Sequence, residues 1–198
     1  MNSVIAAPVD WIESVGDLKL PAKADHRLQE LMDRNTEGLL SQAERAERFA
    51  ETMRLIHEKT GCEWKLFGVE KDRAVADTIL AAAAIPVTDL IGKTTLAQLM
   101  DELRTCDLLL TNDTGTMHLA AHLGVPTVAL FGSTEPALTG PLGAHHRVIR
   151  HHVECSPCFL RECPIDFRCM KAIEVSEVVA AVLAQLTTSP AILPTPEA

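Results

Sequence analysis

The fold is decided by the stretch LLLTNDTGTMH, residues 108–118. It begins as an apolar strand, turns through polar residues and enters a helical pattern that ends before Gly124. An apolar strand that leads directly into a helix is the repeating unit of a parallel sheet. This stretch therefore predicts one strand-turn-helix unit of an α/β domain.

The same alternation continues on both sides of this stretch. Apolar strands, each followed by a helix of about ten residues, indicate a parallel sheet that is covered on both faces. The predicted fold is α/β, a doubly wound, Rossmann-like parallel sheet. Strands are predicted over 64–67, 87–91, 108–111, 127–131 and 147–150, and helices over 41–61, 72–84, 95–105, 114–123 and 174–186.

Composition narrows the class of protein. The chain has 198 residues, a net charge of -9 and no basic tract, which disfavours nucleic acid as a partner. Its longest apolar runs fall short of the roughly 20 residues that span a bilayer, so no transmembrane segment is predicted. The N-terminus lacks the pattern of a secretory signal, and the predicted location is cytoplasmic.

The chain divides into three predicted parts. Residues 1–40 are predicted to be a linker and helical remnant of another domain. A capping box at Ser41 and Glu44 opens the main domain, 41–187, which includes a Cys-rich loop over 151–170. The tail, 188–198, carries three prolines and is predicted to be disordered.

Two strand-to-helix turns offer places for an anionic ligand. After the strand at 108–111, the amides of Thr114 to Thr116 and the helix dipole favour an anion such as a diphosphate, and Gly115 allows close approach. Asp113 then accepts hydrogen bonds from sugar hydroxyls or from the amides of its own turn. The alternative is that Asp113 is a helix cap and His118 an ordinary helix residue. The second turn contains Gly132 and Ser133, which suit phosphate or ribose contacts.

These residues carry a resemblance to a known family. The run TNDTGTMHLAA, 111–121, and the run GVPTVALFGSTEP, 124–136, resemble the signature of the lipopolysaccharide heptosyltransferases, glycosyltransferase family 9. The cysteine pattern of residues 155–170 resembles that of many members. The resemblance covers about residues 44–186 and implies the C-terminal, donor-binding half of a GT-B fold.

The resemblance also implies a ligand and a reaction. The donor would be ADP-heptose and the acceptor a lipid A-core, with transfer that requires no cofactor and with peripheral association at the inner membrane. His118 would stabilise the leaving diphosphate. The implied donor-binding residues are Glu70, Lys93, Asp113, Thr114, Gly115, Thr116, His118, Gly132 and Ser133.

The chain also departs from the family pattern. The acceptor-binding N-terminal domain has no counterpart in the sequence. The strand, Pro-Gly loop and Lys/Arg-Trp-Pro element that family members carry before the helix at Ser41 are also expected to be missing. A truncated protein that binds donor weakly and transfers no sugar alone is therefore predicted.

Four cysteines in the Cys-rich loop leave a second function open. Four thiolates can hold Zn or an iron-sulfur cluster, but the loop contains a Cys-x2-Cys pair only once. The alternatives are therefore inert thiols or a non-catalytic metal-binding module. The cysteines concerned are Cys155, Cys158, Cys163 and Cys169.

Overall fold

The protein contains a six-stranded, wholly parallel sheet. A computed structural model describes residues 3–7, 42–160 and 163–188. The strands lie in the order β3-β2-β1-β4-β5-β6, which is the Rossmann order. The strands are β1 (Ser3–Ala7), β2 (Glu63–Leu66), β3 (Val87–Asp89), β4 (Leu108–Asn112), β5 (Thr127–Phe131) and β6 (His146–Arg150).

Helices connect successive strands in the usual crossover manner. A short 3-10 turn, Glu70–Asp72, precedes the second helix. Among the described residues, no helix combines the length and apolar character needed to cross a membrane. The helices are α1 (Gln42–Thr60), α2 (Arg73–Ala83), α3 (Leu96–Arg104), α4 (Gly115–His122), α5 (Pro136–Thr139), α6 (Arg168–Lys171) and α7 (Val175–Thr188).

The middle of the sheet is β1, which pairs with β2 on one side and β4 on the other. Val4 lies opposite Trp64 in one pairing and opposite Leu108 in the other. The prediction of a linker is therefore wrong for Ser3–Ala7, and a strand does precede α1. The sequence signal was weak because a strand of only five residues carries little pattern of its own.

The two faces of the sheet bury separate hydrophobic clusters. Leu108 and Leu110 of β4 pack in the cluster that includes α1, α2 and α7, whereas Leu109 packs in the cluster formed with α3 and α4. This alternation follows from the two-residue period of a strand. Every residue of β5 is buried, as expected for a parallel strand covered on both faces.

The predicted doubly wound α/β fold is confirmed, and the strands and helices lie within a few residues of their predicted positions. α3 begins with a capping box in which Thr95 accepts from the amide of Gln98 while the Gln98 side chain accepts from the amide of Thr95. The predicted cap at Ser41, the rest of the predicted linker and the tail from residue 189 onward lie outside the described residues.

Truncating a core leucine tests this packing. Leu110→Ala removes a fully buried side chain from β4 and leaves a cavity, so we expect the free energy of unfolding in urea to fall by about 2–5 kcal/mol. Leu142→Ala makes the same change at a leucine that is 84% exposed and should cost less than about 0.5 kcal/mol. Equal losses in the two variants would contradict the assignment of β4 to the core.

Candidate functional site

The order of the strands identifies one edge of the sheet as the place for a ligand. Successive strands run outward in one direction from β1 to β3 and in the other from β4 to β6, so the topology switches between β1 and β4. Ligands of open α/β sheets bind at the carboxyl ends of the strands beside such a switch. The predicted Asp113 turn follows β4 directly and therefore lies at this point.

The turn after β4 leaves the start of α4 open to an anion. Thr114 is the N-cap residue in an extended conformation, but its side chain makes no capping hydrogen bond to the helix. Its hydroxyl instead lies 3.1 Å from the hydroxyl of Thr111. The first amides of α4 and the positive end of the helix dipole are thus available to a ligand oxygen.

His118 lies one turn into α4, on the same side as the helix start. Gly115 and His118 are three residues apart, which places them on one helix face, and both are exposed. Met117 and Ala120 point the other way and are fully buried. Gly115 and His118 therefore share one exposed face of α4, and contact of His118 with a ligand stays a prediction.

Asp113 connects this turn to the one after β5. The hydroxyl of Thr139, the last residue of α5, donates a hydrogen bond of 2.9 Å to Asp113 Oδ2. The two strand-to-helix turns that the sequence singles out are therefore in contact. Thr139 was not predicted to be a site residue, although it follows the second turn closely in the sequence.

Glu135 holds α5 in place from its other end. Its Oε1 and Oε2 each lie 2.9 Å from Nη1 of Arg150, at the end of β6. Both side chains are mostly buried, with 17% of the Arg150 and 30% of the Glu135 side chain exposed. Arg150 had no sequence signal, because only the folded sheet brings β6 beside the turn after β5.

Gly132 and Ser133 contact the Cys-rich loop. The Ser133 carbonyl accepts the amides of Cys158, at 3.0 Å, and Phe159, at 2.8 Å. A Cβ atom on Gly132 would lie 2.7 Å from Sδ of Met170. Packing against this loop thus accounts for the glycine, and contacts of Gly132 or Ser133 with a donor stay a prediction.

Glu70 and Lys93 lie on the other side of β1, at the ends of β2 and β3. The two turns touch, since a Cβ atom on Gly92 would lie 2.2 Å from Glu70 Oε2. The ammonium of Lys93 donates to the backbone carbonyl and to Oδ2 of Asp89, both at 2.9 Å. The charge of Lys93 is therefore paired within its own loop.

Asp89 is the centre of a small charge cluster. Burial alone would raise the pKa of its carboxyl, but hydrogen bonds from Arg73, Lys93 and the amide of Ile91 outweigh burial and lower the pKa to about 2. Arg73 also donates to the carbonyl of Ile91, at 2.8 Å. The cluster fixes the loop between β3 and α3.

Burial shapes the chemistry of three of the four clustered cysteines. Burial, followed by repulsion from the neighbouring thiolates, raises the pKa of Cys169 to about 12, and burial raises that of Cys155 and Cys158. Within residues 42–160 and 163–188, no group of three His, Cys, Asp or Glu side chains is arranged to hold a metal. The metal-binding alternative is not supported.

A cavity beside the site is too small for a nucleotide. It lies between α1, α7 and the carboxyl ends of β4 and β5, and Arg48, Asn112 and Met170 are among its lining residues. Its volume of about 60 Å³ admits a few water molecules, whereas drug-sized ligands occupy about 300–1,000 Å³.

Known proteins share both the sequence and the fold. The sequence model of glycosyltransferase family 9 (heptosyltransferase) matches residues 28–167. Lipooligosaccharide heptosyltransferase 2 of Campylobacter jejuni is 38% identical over 103 residues, which are 51% of this chain and 32% of that protein. Lipopolysaccharide heptosyltransferase 2 of Salmonella typhimurium is 41% identical over 100 residues, 48% of this chain and 28% of the relative.

A solved structure with a similar fold is that of E. coli ADP-heptose lps heptosyltransferase II. It superposes with a TM-score of 0.66 at 24% identity, over 94% of this chain and 46% of the solved chain. At that identity the comparison shows the fold. The chain thus spans less than half the length of this protein.

The Asp89 cluster predicts a pH dependence of stability. The carboxyl has a lower pKa in the folded protein than the value near 3.9 of an unfolded chain, so its contribution is complete above about pH 5 and is lost as the pH falls toward 2. Asp89→Asn should therefore reduce the free energy of unfolding in urea more at pH 7 than at pH 3. Asp101→Asn, at a side chain 74% exposed, is the control and should show no such difference. An equal effect of Asp89→Asn at the two pH values would contradict the prediction.

Proposed function

Because this chain belongs to glycosyltransferase family 9, the heptosyltransferase family, we propose that it is the donor-binding half of a heptosyltransferase and holds ADP-heptose. The observation that carries this proposal is the open start of α4 beside Asp113, at the topological switch of a Rossmann-type sheet. The family model matches residues 28–167 and so covers the sequence on both sides of this turn.

The diphosphate of the donor is assigned to the start of α4. The amides of Gly115 and Thr116 supply hydrogen bonds, and the helix dipole supplies partial positive charge. Together they can attract phosphate oxygens without a metal ion. Thr114 shapes the turn through its bond to Thr111. Gly132 and Ser133 stand at the neighbouring turn, where they limit the space available to the ligand.

Asp113 is assigned to the sugar. A carboxylate beside a diphosphate is repulsive, whereas a carboxylate that accepts hydrogen bonds from sugar hydroxyls is favourable. Asp113 has two oxygens, of which Oδ2 already accepts the Thr139 hydroxyl. Oδ1 is the oxygen proposed to accept a heptose hydroxyl.

His118 is assigned to the leaving group. In an inverting transfer the acceptor oxygen forms a bond to the anomeric carbon while the bond from that carbon to the diphosphate oxygen breaks. Negative charge then accumulates on ADP, and the α4 amides with a protonated His118 would stabilise it. Glu70 is assigned to the nucleoside, and Lys93 holds the neighbouring loop through Asp89.

The acceptor and its general base are assigned to a second domain. The attacking hydroxyl must lose its proton to a base on the acceptor side, and the chain aligns with less than half of the solved heptosyltransferase. The proposed acceptor is a lipid A-core, whose lipid part would bring the assembled enzyme to the surface of the inner membrane. All six cysteines are free thiols, which fits the reducing cytoplasm.

Calorimetric titration with ADP tests the donor site. The unaltered chain should bind ADP weakly, and His118→Ala should weaken binding by roughly three- to tenfold, the value of one hydrogen bond. His122→Ala is the matched control, because His122 is an exposed histidine at the opposite end of the same helix. It should leave the affinity unchanged. No heat of binding from the unaltered chain would refute the donor site.

A transfer assay tests the assignment of the second domain. The purified chain, incubated with ADP-heptose and a lipid A-core acceptor, should release no ADP beyond the rate of spontaneous hydrolysis, because the acceptor-side base is assigned to the second domain. Release of ADP coupled to heptosylated acceptor would contradict the proposal that the chain supplies the donor half alone.

A further inference from the structure

We propose that Thr139 is a positioning residue for the donor sugar: its hydroxyl fixes the orientation of the Asp113 carboxylate, and so sets the preference of the site for a sugar nucleotide over a bare nucleotide. This inference rests on the proposed donor site. The contact that carries it is the 2.9 Å hydrogen bond from the Thr139 hydroxyl to Asp113 Oδ2.

The hydroxyl of Thr139 has one proton, and the geometry gives that proton to Asp113. The backbone carbonyl of Glu135 is the other acceptor within reach, at 3.4 Å. The carboxylate oxygen is closer and charged, and charge-assisted hydrogen bonds are about twice as strong as neutral ones. The carboxylate therefore receives a directional bond from a partner that lies on another loop.

The backbone of Thr139 is held at both ends of α5. The amide of Leu138 donates to the Glu135 carbonyl at 2.8 Å, and the amide of Gly140 donates to the Pro136 carbonyl at the same distance. A Cβ atom on Gly140 would lie 2.4 Å from that carbonyl oxygen, so a glycine is needed where the helix ends. The short helix thus presents Thr139 in a defined position.

The start of α5 is anchored to the sheet by an ion pair. Glu135 binds Nη1 of Arg150 through both carboxylate oxygens, and Nη2 of Arg150 lies 3.5 Å from the Ser156 hydroxyl. Ser156 in turn donates to the Gly132 carbonyl at 2.6 Å. A continuous series of contacts therefore runs from β6 through Glu135 to Thr139 and ends at Asp113.

Fixing one oxygen of a carboxylate restricts rotation about the side-chain bond and leaves the other oxygen to accept from the ligand. A preorganised acceptor loses less entropy when a sugar hydroxyl binds. ADP has no heptose hydroxyl to offer Asp113. The bond from Thr139 should consequently matter for ADP-heptose and much less for ADP.

The test compares two affinities for each variant by titration calorimetry. Thr139→Val keeps the shape of the side chain and removes the donor, so ADP-heptose affinity should fall by roughly three- to tenfold while ADP affinity changes by less than about twofold. Thr139→Ser restores the hydroxyl and should restore the ratio of the two affinities. Thr188→Val, at an exposed threonine in α7, is the matched control and should change neither affinity.

Three results would overturn the inference, and they separate it from the proposed function. If the unaltered chain binds neither ligand, the donor site and the inference both fall. If it binds both and Thr139→Val leaves the ratio unchanged, or lowers both affinities equally, only the role of Thr139 falls. Thr139→Ala provides a second variant without the donor, should Thr139→Val fail to fold, and it should shift the ratio in the same direction.

Discussion

The parallel pairing of β1 with both β2 and β4 is the constraint on which the rest of the structure depends. Without β1, the sheet would separate into a β2–β3 pair and a β4–β6 triplet, each with an unsatisfied edge. The same pairing produces the switch in strand order and therefore brings the turns after β2 and β4 to one edge. The location of the candidate site therefore depends on β1, which pairs with β2 and β4 through its backbone hydrogen bonds.

The turns at that edge are connected to one another by side chains. Asp113 and Thr139 join the turns after β4 and β5, and Glu135 with Arg150 extends the connection to β6. Two amides of the Cys-rich loop donate hydrogen bonds to the Ser133 carbonyl and so join this loop to the turn after β5. The loop thus contributes to the site through its backbone, and its buried Cys158 and Cys169 contribute through packing.

Most of the strands and helices could be predicted from the sequence, and the features that could not be predicted have physical causes. Apolar runs such as 108–111 and 127–131 predict strands because burial on both faces leaves a strong local pattern. β1 was not predicted because a strand of only five residues carries little pattern of its own. Thr139 and Arg150 were not predicted as site residues, because their role depends on contacts between segments that only the folded sheet brings together. The reason for Gly132 likewise becomes visible only when Met170 packs against it.

The register of β1 also has a consequence for the order of folding events. Val4 pairs with Leu108, so roughly a hundred residues must be closed into a loop before the central strand gains its second neighbour. Contacts so distant in sequence form slowly, because loop closure costs entropy before the contact stabilises anything. During synthesis β1 would emerge long before β4, and until then only β2 could pair with it. Completion of the sheet, and with it formation of the Asp113 turn, is therefore expected to be a late step in folding.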